Sequence, residues 1–192
     1  DRYFSISQND DVIYCECTQC SKLNKDHGGP QGSLYTFLNK IAKRFPKKQL
    51  CTLAYLHTYN PPINLKIASN ITTLFCPIEM DRGNPISLKN NNKPVANTLA
   101  RWQSASKNLF VWDYTVQFAN YISPFPNLSY FEENYTTFKA NNVKGLFVQG
   151  YADVPGDFSE LRQYLLAKLL WDASIDVKAT TADFLRGFYG KA

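Results

Sequence analysis

The chain has only two histidines and one methionine among 192 residues, and no apolar run of the roughly 18 residues a membrane-crossing helix needs. No glycine follows the first strand-like run until Gly28, which argues against the glycine-rich turn of a dinucleotide-binding sheet. There is no G-x-S-x-G segment and no phosphate-binding loop, so serine-hydrolase and nucleotide chemistry find no support. Charge is also sparse, with a formal net value of +5. The densest basic run, "KRFPKK" at 43–48, reads as a solvated helix end, and no basic module points to nucleic acid. The sequence starts at Asp1 with no Met or signal-like segment, which reads as a mature form or an excised piece.

What is present is a core and many rings. Hydrophobic residues make up 44% and aromatics 15%, with 13 Phe, 12 Tyr and 3 Trp. That composition suits a packed domain, and it also suits a surface that stacks on flat ligands. Five apolar runs read as strands: 2–7, 50–56, 71–78, 109–115 and 145–151. They do not alternate strictly, so they read as buried on both faces. Helical patterns separate them. "SLYTFLNKIAKRF" aligns Leu34, Phe37, Leu38, Ile41 and Phe45 before Pro46 stops it. Leu99 and Trp102 face inward from a shorter pattern, and Leu128, Phe131, Tyr135 and Phe138 form another stripe. "DFSELRQYLLAKLLW" offers Asp157 as N-cap with Glu160 three residues on, then Phe158, Leu161, Leu165 and Leu169. The crossover at 57–70 contains Pro61 and Pro62 and cannot hold a long helix, and 81–94 is a long polar loop of the kind that carries function.

Strands alternating with helices predict an α/β fold with a parallel sheet. A barrel fits better than a doubly wound sheet, because polar residues stand where each strand ends: Asn9, Asp10, His57, Glu79, Asp113 and Gln149. Eight strands close such a barrel, and five are visible. The expectation is therefore the C-terminal portion of a (β/α)8 TIM barrel, about five βα units over 1–175. A helix at 176–192 would lead out toward a further region. The remaining strands, from the rest of the parent chain, would cover the open sheet edges.

Three carboxylates are candidates for catalysis. Asp10 is a general acid or hydroxyl-binding group, or else a turn former. Glu79 follows an apolar strand beside Phe75, Ile78 and Met80, where a raised pKa would suit an acid; the alternative is a surface Glu. Asp113 stands between Trp112 and Tyr114, as in a sugar site where the acid binds hydroxyls and a ring stacks on the apolar face; the alternative is a buried Asp holding loop amides. Asn9, Tyr55, His57, Trp112, Tyr114 and Gln149 are candidate substrate-binding residues, with Tyr59 near the same mouth and room beside Gly150. Paired carboxylates are the working parts of most glycosidases.

"FSISQND", "YCECTQC", "TLAYLHT", "FCPIEM", "FVWDYT", "FVQGY", "ELRQYLLAKLLWD" and "FLRGFYG", in that order, resemble an uncharacterised bacterial family described as glycoside-hydrolase-like. It is common among polysaccharide degraders and distantly similar to the alpha-glucuronidases and beta-hexosaminidases. The resemblance implies a carbohydrate-active barrel, a glycoside hydrolase on polysaccharide or oligosaccharide, or a non-catalytic carbohydrate-binding barrel. It also implies a secreted, periplasmic or cell-surface bacterial location. By analogy with the alpha-glucuronidases, Asp10 falls where an acid ends the fourth barrel strand, although those enzymes use Glu. Glu79 and Asp113 fall where later strands supply bases.

The segment "YCECTQC" stands in a loop over the barrel mouth on this reading. Cys15, Cys17, Cys20 and His27 offer four zinc ligands. A secreted location instead favours a disulfide, Cys15–Cys20 or Cys17–Cys20, and free thiols are the third option. No other cofactor is expected. Cys51 and Cys76 lie in apolar runs and read as small buried hydrophobes.

Overall fold

A computed structural model describes residues 2–87, 89–151 and 155–190. Five strands, β1 (Tyr3–Ser5), β2 (Gln49–Ala54), β3 (Ile71–Phe75), β4 (Asn108–Tyr114) and β5 (Gly145–Gln149), pair in chain order, all parallel. The sheet curls into a half-barrel, in keeping with the expected partial α/β barrel. Among the described residues six α-helices accompany it: α1 (Thr18–Asp26), α2 (Gln31–Arg44), α3 (Lys93–Ala105), α4 (Phe131–Ala140), α5 (Ser159–Trp171) and α6 (Val177–Tyr189). The β2–β3 crossover is irregular, as its prolines require, with one 3-10 turn at Leu56–Thr58.

Burial alternates along β2 and β4, against the expectation of strands buried on both faces, whereas β3 is buried on both faces as expected. Leu50, Ala54, Ile71, Phe75, Leu109 and Val111 face the helices and form the core with Tyr35, Leu38, Leu99, Trp102, Tyr135, Phe138, Leu165 and Leu169. The residues between them point into the concave face, which a half-barrel leaves partly open.

The α2 stripe is rotated from the predicted one. Tyr35, Leu38 and Ala42 are buried, whereas Phe37 and Phe45 stay about half exposed, at 51% and 48%. The Tyr35 hydroxyl meets Thr73 Oγ1 at 2.8 Å inside the core, and this buried polar pair fixes which face of the helix turns inward. The helix at α5 begins later than expected. Asp157 does not cap it, because its carboxylate is taken by the buried Arg162 at 3.5 Å and by the amide of Phe125. A buried guanidinium must be satisfied. Arg162 also reaches the carbonyls of Thr115 and Phe125 and the Asn127 side chain. Phe158, placed in the inward stripe by sequence, is exposed just before this helix, with φ +48°.

Helix α1 begins inside the cysteine segment expected to be a loop, with Cys17 as its N-cap and Cys20 in its first turn. A turn with Gly28 and Gly29 at positive φ reverses the chain into α2. A Cβ on Gly32 would lie 2.6 Å from the Leu23 carbonyl, so the glycine lets the two helices cross closely. At the other end of the chain, α6 packs along α5 through Phe184 on Tyr164, with Asp176 capping its first turn. Residues 191 and 192 of the expected terminal segment lie outside the described residues.

Trp102→Ala should cost about 3–5 kcal/mol in urea unfolding, because it empties a fully buried site. Phe37→Ala should change stability by no more than about 0.5 kcal/mol. Equal losses would restore the stripe read from the sequence.

Candidate functional site

The strand C-termini surround a cavity of about 420 Å³. Its rings are Tyr55, just past β2, Trp112 and Tyr114 on β4, and Phe118 in the following loop. Its polar groups are Gln8, Asn9 and Asp10 after β1, and Gln149 at the end of β5. Leu53 and Ile78 supply the remaining apolar wall. Trp112 and Tyr114 share a face because they are two residues apart on one strand. Their rings lie 6.3 Å apart at 24°, and the Trp112 indole N–H donates to Gln149 Oε1 at 2.9 Å. Phe147 meets Trp112 edge-on at 4.5 Å. Gln8 donates to the Tyr55 carbonyl at 3.0 Å and to Thr58 Oγ1 at 2.9 Å, which fixes the loop that presents Asn9 and Asp10.

The three candidate carboxylates separate. Asp10 lines the cavity. Glu79 is exposed in a turn after β3, outside the cavity wall but close enough for its charge to bear on Tyr55, Tyr59, Cys76 and Arg82. Asp113 is buried and does not face the mouth, which corrects the reading of three strand ends sharing one cavity. Lying between Trp112 and Tyr114, it must point to the opposite side of the sheet, with Leu109 and Val111. Burial pushes its carboxyl above the usual range, against the pull of the Arg82 charge and the Tyr114 backbone amide.

Burial also raises the Tyr55 phenol, followed by Asp10, which both hydrogen-bonds and repels, and by the Cys76 and Glu79 charges. Tyr114 is raised by burial and then by Cys76 and Tyr55. Both stay neutral hydroxyls at ordinary pH and can donate to or accept from a ligand. Cys76 behaves as the buried hydrophobe expected, its thiol pushed up to about 12 by burial. Cys51 is only partly buried, on the concave face.

His57 stands outside the cavity wall, its ring 5.5 Å from that of Tyr14 and its Nδ1 buried with no hydrogen-bond partner. Tyr59 packs on Phe75 instead of the mouth. A Cβ on Gly150 would meet nothing within 4 Å among the described residues, in keeping with the room expected there. Sequence reasoning missed Gln8, Phe118 and Arg82. Arg82 lies over the Tyr114 ring at 5.3 Å and donates to the carbonyls of Pro77, Ile78, Met80 and Tyr114. It thereby ties the β3–α3 loop to the end of β4. Only its place beside Asp81 in "MDRGN", at the start of the long polar loop, hinted at this role.

The cysteines converge. The Sγ atoms of Cys15, Cys17 and Cys20 all lie within 4.8 Å of one another, and His27 is not among them. His27 closes the far end of α1 and its Nδ1 lies 3.0 Å from the Ile63 carbonyl. Seven residues along a helix separate it from Cys20 by roughly 10 Å. The four-ligand set read from spacing is therefore reduced to three thiols.

A family model described as a domain of unknown function (DUF4838) matches residues 1–192. No curated protein and no solved structure matches the chain. Among the described residues, no helix is long and apolar enough to cross a membrane.

A raised folded-state pKa for Asp113 means its stabilising contribution is present below the unfolded value, near 3.9, and is lost as pH rises through the folded value. Asp113→Asn removes this dependence. The variant's stability relative to the parent should therefore improve between pH 4 and pH 7 in urea titrations. A difference that stays flat or falls with pH would contradict the buried, raised carboxyl.

Proposed function

The chain belongs to the DUF4838 family, and on that premise we propose that it forms the sugar-binding part of a carbohydrate-active barrel, a glycoside hydrolase. The observation that carries this reading is the cavity itself. Three rings, Tyr55, Trp112 and Tyr114, stand beside Asn9, Asp10 and Gln149 at the strand ends. A sugar has an apolar C–H face and a rim of hydroxyls, so it needs rings on one side and amide or carboxylate groups at the edge. A volume of about 420 Å³ is in the range of small-molecule sites.

Asp10 and Glu79 are the carboxylate pair, with Tyr55 within reach of both charges. A glycosidase needs one carboxyl group to protonate the leaving oxygen and another to act as base or nucleophile on the opposite face. Asp113 is buried on the helix side of the sheet and takes no part in proton transfer. A polymeric substrate accords with a secreted or cell-surface location. The second reading, a carbohydrate-binding barrel without turnover, is favoured by one fact: among the described residues, Asp10 alone contributes a carboxylate to the cavity wall.

The test is an assay of the intact protein on aryl glycosides, uronosides and plant or host polysaccharides. Glu79→Gln and Asp10→Asn should abolish turnover while glycan binding persists. Trp112→Ala should weaken binding about tenfold, or ~1.4 kcal/mol. Binding without turnover on every substrate selects the second reading, and neither binding nor turnover rejects both.

A further inference from the structure

Nothing in the proposed sugar chemistry uses the three thiols where the β1–α1 loop enters α1. Cys17 occupies the N-cap of α1 in extended conformation, and its carbonyl accepts the Ser21 amide at 2.9 Å. Cys20 lies three residues on in the first turn, where N-cap and N3 side chains meet. Cys15 folds back onto both, so three sulfurs from six residues approach one point. Cys15 and Cys17 are exposed and Cys20 is half-buried.

Four sulfurs on a tetrahedral zinc ion at a Zn–S distance of about 2.3 Å stand roughly 3.8 Å apart. The observed separations, all within 4.8 Å, need only side-chain rotations of about an ångström or less to reach that. A disulfide would take two of the three and leave the third exposed. Cys51 and Cys76, on or beside the sheet, are not part of the cluster. Thiolates are soft donors and select zinc over the hard cations that prefer oxygen.

The location gives the site a purpose. The loop between β1 and α1 carries Asn9 and Asp10 to the cavity. One end is held by Gln8 on Tyr55 and Thr58, and its middle leans on His57 through Tyr14. Its other end enters α1, which α2 fixes through the close crossing at Gly32 and the Ser33 amide on Asn24. A metal clipping Cys15 to Cys17 and Cys20 would anchor the rim loop to that rigid helix pair.

We propose that Cys15, Cys17 and Cys20 bind a zinc ion as a three-thiolate clamp, with water completing its tetrahedron, which stiffens the loop presenting Asn9 and Asp10. The clamp stands independently of what the cavity binds.

The experiment is metal analysis of the intact protein, with cobalt(II) exchanged for zinc as an optical probe. About one zinc per chain is expected, together with the intense near-ultraviolet thiolate-to-cobalt band. Cys15→Ser, Cys17→Ser and Cys20→Ser should each weaken metal binding roughly a hundredfold or more, while His27→Ala leaves it unchanged. Chelation of the unmutated protein, which avoids any folding defect of the variants, should speed proteolysis within residues 9–17. A metal-free protein that takes up neither ion overturns the site, as does a disulfide among the three cysteines in the freshly purified protein. Metal loss in His27→Ala overturns the ligand set, and unchanged proteolysis on chelation overturns the clamping role.

Discussion

Successive side chains of a strand point to opposite faces, and on this curled parallel sheet that alternation decides what each residue can do. Register carries the same parity from strand to strand, since Leu53 stands beside Leu74, and Leu74 beside Phe110. On β4 the rule sends Trp112 and Tyr114 into the concave cavity and Asp113 into the helix side between them. Five strands therefore yield two surfaces of different chemistry. One is a sealed aliphatic and aromatic core, and the other is a partly open wall of rings and amides.

What fixes the cavity rim is a set of polar side chains bonded to backbone carbonyls. Arg82 and Arg162 each gather several carbonyls, from the loop after β3 and the loop after β4 respectively. Asn92 bonds both the amide and the carbonyl of Asp81 and closes the polar loop before α3. At the opposite end of the sheet, just before β3, Asn70 donates to the carbonyls of Ala42, Phe45 and Lys48. Asn127 and Asn134 are similarly committed, to Thr115 and Arg162 and to the Ile86 amide. Asn70, Asn127 and Asn134 stand in N-x-S/T sequences; a glycan on Asn70 or Asn127 would take the side-chain nitrogen that holds these contacts, and Asn134 is buried. Loops satisfied in this way position the ends of the strands more firmly than their length suggests.

The fold was legible wherever a run of apolar residues had one meaning. The five strands sit where the apolar runs sit, and Leu99, Trp102, Tyr135 and Phe138 are buried as their spacing requires. Errors arose where a polar contact outranked periodicity. Tyr35 on Thr73 turned α2 away from Phe37 and Phe45, and Arg162 drew Asp157 off the end of α5. The ring-rich cavity was legible because Trp112, Tyr114, Tyr55 and Gln149 all stand at strand ends. The face of Asp113 was not, because a strand's parity is set by what packs on it, and adjacent aromatics here occupy both the question and its answer. Convergence of Cys15, Cys17 and Cys20 could be suspected from their spacing; the exclusion of His27 required knowing that a helix lies between them.

The central claim is that the concave wall of rings takes the apolar face of a sugar. Saturation-transfer NMR on the intact protein, with aromatic protons irradiated in the presence of a panel of oligosaccharides, tests it most directly. The account predicts strong transfer to the C–H protons of one face of a bound sugar residue, lost in Trp112→Ala. Absence of transfer to every sugar in the panel, or transfer that survives loss of Trp112, would contradict it.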